Sequence, residues 1–304
     1  MSDDARFAWV VVVPVKVLAR AKSRIAPLAG SRRAELALAM VTDTISAVLA
    51  SPVADRVIVV TDDPVAAAEL SAAGATVVPD EPGEGLNEAL VHGAASAARR
   101  WPAAGIAALS GDLPALQPEE IAVALRAAAS WPEAFVPDAQ GSGTTLYTAG
   151  PGVPFRPAFG LDSRLRHAAG GAAELLLPGI AGLRRDVDTA EDLRAATRLG
   201  LGPRTSAVAA ELLRAAADRA AGLLAQARAG RQMLTTGQVS VRVMPSTDWM
   251  PPVTRRPSSS TFSASARTMT SYGPVTSSAW VTPEMAAICL ATSAALPTSV
   301  WTRM

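Results

Sequence analysis

Three aspartates and one short run of cations carry most of the chemistry this sequence can offer. Asp112 stands in "ALSGDLPAL" (108–116), where an apolar run ends in a glycine and Pro114 bars the chain from continuing as a strand. Asp186 and Asp188 stand in "RRDVDTAEDL" (184–193), read as a strand end on which alternate residues point to one side. If Asp112 converges with this pair, each carboxylate pair at about 4 Å and an effective dielectric near 20 costs on the order of 4 kcal/mol. Such a cluster needs a counterion, and oxygen-only ligands beside phosphates suit Mg²⁺ best. Asp188 could equally cap the following helix, with Glu191 completing a variant capping box.

The cations lie in "PVKVLARAKSRI" (14–25), which carries Lys16, Arg20, Lys22 and Arg24. Every other basic residue of the chain is arginine, so its two lysines share one loop. An ammonium acts on phosphate as a compact point charge, where a guanidinium is a planar fork. The run reads either as a solvated face or, following a first strand and beside candidate metal ligands, as a clamp for a triphosphate. Neither GxxxxGK[ST] nor GxGxxG follows that strand, so a P-loop and a dinucleotide fingerprint are both excluded.

Two further stretches could hold a ligand. "DEPGEGLNEAL" (80–90) places Gly85 before a helix start and Asn87 in its first turn. Glycine lets a ligand approach the backbone and asparagine offers donor and acceptor to a base edge, although an ordinary loop and cap would look the same. "GSGTTLYTA" (141–149) and "FGLDSRLRHAAG" (159–170) supply Thr145, Gly160 and Ser163. Ser163 reads as the cap of a helix whose free N–H groups would attract an anion. The two histidines, His92 and His167, read as packing or surface residues.

The elements that must position these groups alternate. "FAWVVVVPV" (7–15) reads as a strand buried on both faces, followed by a helix that Ser31 would cap. Strands at 56–61, 75–79, 105–110, 134–137, 144–149 and 183–188 are interleaved with helices at 64–73, 86–101, from Pro118 and at 190–199. This order predicts an α/β, Rossmann-like, mostly parallel sheet flanked by helices, with ligands beyond the carboxyl ends of its strands.

A single domain is expected over 1–203, then a helical extension over 204–230. The segment 231–304 is rich in Ser, Thr and Pro and without periodicity, which suggests a disordered tail or a shifted reading frame. The formal net charge of +1 argues against nucleic-acid and polybasic membrane binding, and one cysteine excludes a disulfide framework. No apolar run is long enough for a membrane span and no signal peptide is evident, so a cytoplasmic location is expected.

Taken in order, "VPVKVLARAKSRI", "GEGLNEAL", "SGDLPAL", "GTTLYTA", "FGLDS" and "DVDTAEDL" resemble the guanylyltransferases that make the phospholactyl or phosphoenolpyruvyl guanosine diphosphate intermediate of the deazaflavin coenzyme F-420. The resemblance implies a nucleotide-diphospho-sugar-transferase-like fold acting on GTP with Mg²⁺, and phosphoenolpyruvate or 2-phospholactate as acceptor. It assigns Thr145, Gly160 and Ser163 to the acceptor and Asp112, Asp186 and Asp188 to the metal. Lys16, Lys22 and Arg24 would line the nucleotide phosphates, and Gly85–Asn87 would face the guanosine. A transient contact with the transferase that consumes the product is also implied. Asp162 beside the anion site and the chain after 203 depart from the family's pattern. The rival readings are a molybdopterin- or sugar-nucleotide-type nucleotidyltransferase, a metal-dependent glycosyltransferase, and a non-catalytic nucleotide-binding module. The first two call for an "LAGG" loop after the first strand or an Asp-x-Asp at the fourth strand, where this chain has "PVKVLARAK" and "GDLP", and the third predicts no acid cluster.

Overall fold

The β-branched runs form the middle of a seven-stranded sheet in the order β3-β2-β1-β4-β6-β5-β7. This computed structural model describes residues 8–20, 22–81, 83 and 85–235. The strands are β1 (Trp9–Pro14), β2 (Ala54–Val60), β3 (Thr76–Val78), β4 (Gly105–Leu109), β5 (Glu133–Pro137), β6 (Thr144–Ala149) and β7 (Ala173–Glu174). β1 pairs in parallel with both β2 and β4, whereas β6 runs antiparallel to β4 and β5. The strand order reverses between β1 and β4, and a crevice opens at such a switch point.

Alternation along β1 builds a core on each face. Trp9, Val11 and Val13 pack with Val41, Ile45 and Val48 of α2 (Arg33–Leu49), while Val10 and Val12 face α4 (Leu86–Arg100). Gly93 of α4 sits so close to the sheet that a Cβ there would lie 2.5 Å from Val12 Cγ1. Any larger residue would lift that helix off the strands that floor the crevice. The remaining helices are α1 (Ala26–Ala29), α3 (Pro64–Ala72), α5 (Pro118–Ala128), α6 (Ser163–Ala169), α7 (Ala190–Leu199) and α8 (Pro203–Thr235).

Two local expectations are corrected. Residues 183–188 form a turn followed by irregular chain, because Arg185 N–H closes onto Gly182 C=O and Val187 N–H makes a single bond to Asp112 C=O. The sheet instead gains the short strand β7. Ser31 does not cap α2; it lies in a 3₁₀ turn, Gly30–Arg32, and α2 starts after Arg32 with no side-chain cap.

The boundary drawn at 203 falls inside one packed body. Val208, Ala209 and Leu212 of α8 are buried with Ile25, Leu36 and Met40. Asp43, buried in the middle of α2, accepts the N–H groups of Arg204 and Thr205 at 3.2 and 2.7 Å, so it caps α8 from another helix. A Cβ on Gly202 would lie 2.4 Å from the Asp43 carboxyl carbon, which fixes glycine there. Residues 236–304 lie outside the described residues. Among the described residues no helix is long and apolar enough to cross a membrane.

Replacing Asp43 by Ala leaves the buried Thr205 N–H and the part-buried Arg204 N–H without acceptors, and we expect about 2 kcal/mol of destabilisation in urea unfolding. Asn, which keeps one acceptor, should restore part of it.

Candidate functional site

The β1 chain leaves the sheet at Pro14 and turns over the crevice, carrying its two lysines with it. Asp63 tethers this loop: one carboxylate oxygen accepts Leu18 N–H at 2.9 Å and the other caps α3 through Val65 and Ala66. Burial raises the pKa of Asp63, but these three N–H bonds outweigh it and hold the carboxyl below its usual range. Lys22 follows with a left-handed backbone (φ 56°), which turns the chain into the 3₁₀ segment Ser23–Ile25.

The cluster gathers on the far side of that turn. The Lys22 ammonium donates to Asp112 and, at 2.8 Å, to Asp188 Oδ1. Burial acts to lower the Lys22 pKa, but the charges of Asp112 and Asp188 overcome it and push it up to about 12. Burial likewise acts to raise the Asp188 pKa, and Lys22 brings it below the usual carboxylate range. Arg24 is exposed and only approaches Asp188, at 3.9 Å, so it adds little in water.

Asp186 has no such cation. Its Oδ1 is buried without a hydrogen-bond partner. Burial, then repulsion from Asp112, Asp138 and Asp188, pushes its pKa up to about 7. Asp138 is a fourth acid that the sequence reading missed. It accepts the N–H groups of Gly141, Ser142 and Gly143 across the β5–β6 turn.

The capping expected of Asp188 belongs to Thr189. Its hydroxyl accepts Asp192 N–H at 3.2 Å while Asp192 Oδ2 accepts Thr189 N–H at 3.0 Å, a complete capping box at the start of α7. Asp188 is thereby left for Lys22.

Lys16, Lys22, Asp112 and Asp188 line a cavity of about 330 Å³ between the ends of β1 and β4. Its floor is apolar, from Ala37 and Val41 of α2, Leu86 and Leu90 of α4, and Phe159. Ser110 and Gly111 complete the β4 side. An apolar slot with cations and acids at one end suits a planar ring bearing a charged chain.

Thr145, Gly160 and Ser163 do not line this cavity, but each adjoins a residue that does or a neighbour of one. Thr145 C=O accepts Ser110 N–H at 2.9 Å, and Ser163 N–H donates to the carbonyl of Gly160, the residue after Phe159. Thr145 Oγ1 is buried with no hydrogen-bond partner among the described residues. Ser163 is the first residue of α6 and not its cap; that position is Asp162, in a left-handed conformation (φ 52°) and exposed, so its charge is solvated. α6 has only seven residues. Gly85 caps α4 at φ 141°. Asn87 is engaged by the backbone of Phe159: its Oδ1 accepts Phe159 N–H at 2.8 Å and its Nδ2 donates to Phe159 C=O at 3.2 Å.

Among the described residues, no group of three or more acidic, histidine or cysteine side chains is gathered as a metal site. The Lys22 ammonium instead bridges Asp112 and Asp188. The donors nevertheless fit a hard cation that arrives with phosphate. Mg²⁺ is commonly held by one or two carboxylates plus phosphate oxygens, and Asp112 and Asp188 face the cavity while Asp186 carries an unpartnered oxygen.

The Guanylyl transferase CofC-like family matches residues 9–172. A phosphoenolpyruvate guanylyltransferase from Thermomonospora curvata is 61% identical over 211 residues, 69% of this chain and 92% of that relative. A phosphoenolpyruvate guanylyltransferase from Streptomyces avermitilis is 57% identical over 206 residues, 67% of this chain and 95% of that relative. A solved structure from Desulfovibrio desulfuricans G20, described as a nucleotide-diphospho-sugar transferase, superposes with TM-score 0.52 at 19% identity, covering 68% of this chain and 96% of that one. That likeness shows the fold.

His167, read from the sequence as a packing residue, is buried, and burial first and Arg166 second lower its pKa to about 4. Its folded pKa lies below the unfolded value near 6.5, so its contribution to stability is complete above about pH 6.5 and is lost as pH falls toward 4. Urea midpoints across this range should fall more steeply for the parent than for His167→Phe. Equal slopes would contradict the burial of a neutral ring.

Proposed function

Because this chain belongs to the CofC-like guanylyl transferase family, we propose that it transfers GMP from GTP to phosphoenolpyruvate, releasing pyrophosphate. A phosphate oxygen of the acceptor forms a bond to the α-phosphorus of GTP, and the bond from that phosphorus to the β-phosphate bridging oxygen breaks. The product is enolpyruvyl-diphospho-guanosine, the type of intermediate that coenzyme F-420 assembly consumes.

The observation that carries this reading is the cavity that joins an apolar slot to Lys16, Lys22, Asp112 and Asp188. The attacking phosphate is already an anion, so the reaction needs no general base, and the chain's contribution is to align reactants and offset charge. Leu86, Leu90 and Phe159 would flank the nucleotide, with Lys16 and Lys22 against its phosphates. Asp112 and Asp188, with Asp186 beside them, would hold Mg²⁺, which supplies charge neutralisation of the phosphoryl oxygens when bound. Lys22 would then exchange its carboxylate partners for phosphate oxygens. Thr145 Oγ1, unpartnered in the protein, together with Gly160 and Ser163, would receive the acceptor. Its compartment and a contact with the transferase that takes the product follow from the same reading.

Pyrophosphate release by the full chain, with Mg²⁺ and each of the four nucleoside triphosphates, tests this. Release should require GTP together with phosphoenolpyruvate or 2-phospholactate, with phosphoenolpyruvate the better acceptor. Release with another triphosphate, or with no acceptor, would contradict it. Asp112→Asn should lower turnover by about a thousandfold, the scale of losing a key electrostatic contact, with the melting temperature kept. Ser163→Ala should act mainly on the acceptor KM.

A further inference from the structure

The segment Phe155–Gly160 has no regular secondary structure, yet three of its backbone N–H groups are held by side chains. Arg156 N–H donates to Tyr147 Oη at 3.3 Å, Ala158 N–H to His167 Nε2 at 2.9 Å, and Phe159 N–H to Asn87 Oδ1 at 2.8 Å. The residue between the first two is Pro157, which has no N–H to satisfy. Phe159 C=O accepts from both Asn87 Nδ2 and Arg166 Nη2. Four side chains from three elements, α4, β6 and α6, thus fix one loop whose Phe159 lines the cavity and whose Gly160 follows it.

His167 is the centre of this arrangement. It stacks on Tyr147 at 4.7 Å between ring centroids, and Phe159 meets it edge-on at 5.4 Å. Since Nε2 accepts a backbone N–H, the proton of the neutral ring sits on Nδ1, 3.0 Å from Thr144 Oγ1, to which it donates. His167 therefore bonds the strand that carries Thr145 and the loop that carries Gly160, from within the helix that carries Ser163.

We propose that His167, Tyr147 and Asn87 are positioning residues for the acceptor: they act through the 155–160 loop to bring Thr145, Gly160 and Ser163 to one geometry. This rests on the acceptor reading above. It also gives Asn87 a different role from the base contact expected of it. Positioning of this kind matters because misplacement of about 1 Å at a reacting centre can cost about a hundredfold in rate.

Steady-state kinetics and amide hydrogen exchange on the full chain test the proposal together. His167→Phe keeps the ring stack and loses both hydrogen bonds. Its KM for phosphoenolpyruvate should rise by about tenfold or more while its KM for GTP stays within about twofold. His167→Gln places an amide oxygen near the Nε2 position and should recover part of the loss. Asn87→Ala should move the acceptor KM in the same way, and all three should speed exchange at the Ala158 and Phe159 amides wherever the bond is lost. ¹⁵N spectra of the parent should show the Nδ1–H tautomer.

A rise in the GTP KM for Asn87→Ala, with the acceptor KM unchanged, would restore the base contact and overturn the proposal for Asn87. Equal changes in both KM values, or unaltered exchange at these amides, would overturn it for the loop. A parent that turns over GTP but ignores phosphoenolpyruvate and 2-phospholactate would sink the functional reading first, and the acceptor role with it.

Discussion

Everything at the rim of this sheet depends on one ammonium between two carboxylates. Lys22 holds Asp112, at the end of β4, and Asp188, in the chain that leads into α7, within reach of a single charge. Three segments distant in sequence meet there: the loop after β1, the loop after β4 and residues 186–188. Without that charge the acids would repel one another, as Asp186 shows. It lacks a cation, and burial first and the neighbouring carboxylates second push its carboxyl up to about 7. The arrangement is poised between two ways of meeting the same need, an internal lysine or a cation that arrives with phosphate. A lysine suits this exchange because its single charge on a flexible stem can change partners at little geometric cost.

The rest of the site follows from where that cluster must sit. β1 and β4 lie side by side, and the order of strands reverses between them, so the crevice opens beside Asp112. Asp63 keeps the lysine loop over it, and the Thr189–Asp192 capping box leaves Asp188 available. Transfer of a nucleotidyl group to a phosphate needs little more than this. The nucleophile arrives ionised, and the protein's task is alignment and charge.

Much of this was legible from the residues, for identifiable reasons. The central strands are continuous β-branched runs buried on both faces, so their identity did not depend on neighbours. Lys16, Lys22 and Asp112 were legible because they follow the ends of β1 and β4 and a parallel sheet presents its strand ends at one rim; Asp188 reaches the same rim on irregular chain. What escaped was set by tertiary contact. Residues 183–188 have a strand's composition, but isolated backbone bonds, such as Val187 N–H to Asp112 C=O and Ala139 N–H to Arg184 C=O, replace a strand ladder. Asp43 caps a helix that starts about 160 residues later, so no local pattern shows that α8 belongs to the core. Asn87 and His167 were read by type, as a base contact and a packing residue. Their hydrogen bonds go to a loop with no periodicity of its own, close in sequence to His167 but 72 residues from Asn87. The doubled aromatic pattern around "FRPAF" was the one available signal, and it does not specify a partner.

The central claim is that the acceptor's own phosphate attacks GTP directly, with no side chain acting as nucleophile. The stereochemistry at the α-phosphorus tests this most directly. With GTP carrying one sulfur of defined configuration at that phosphorus, and phosphoenolpyruvate as acceptor, a single in-line displacement gives a product of inverted configuration. Retention would mean two displacements through a covalent nucleotidyl-enzyme, and would contradict the account of this site.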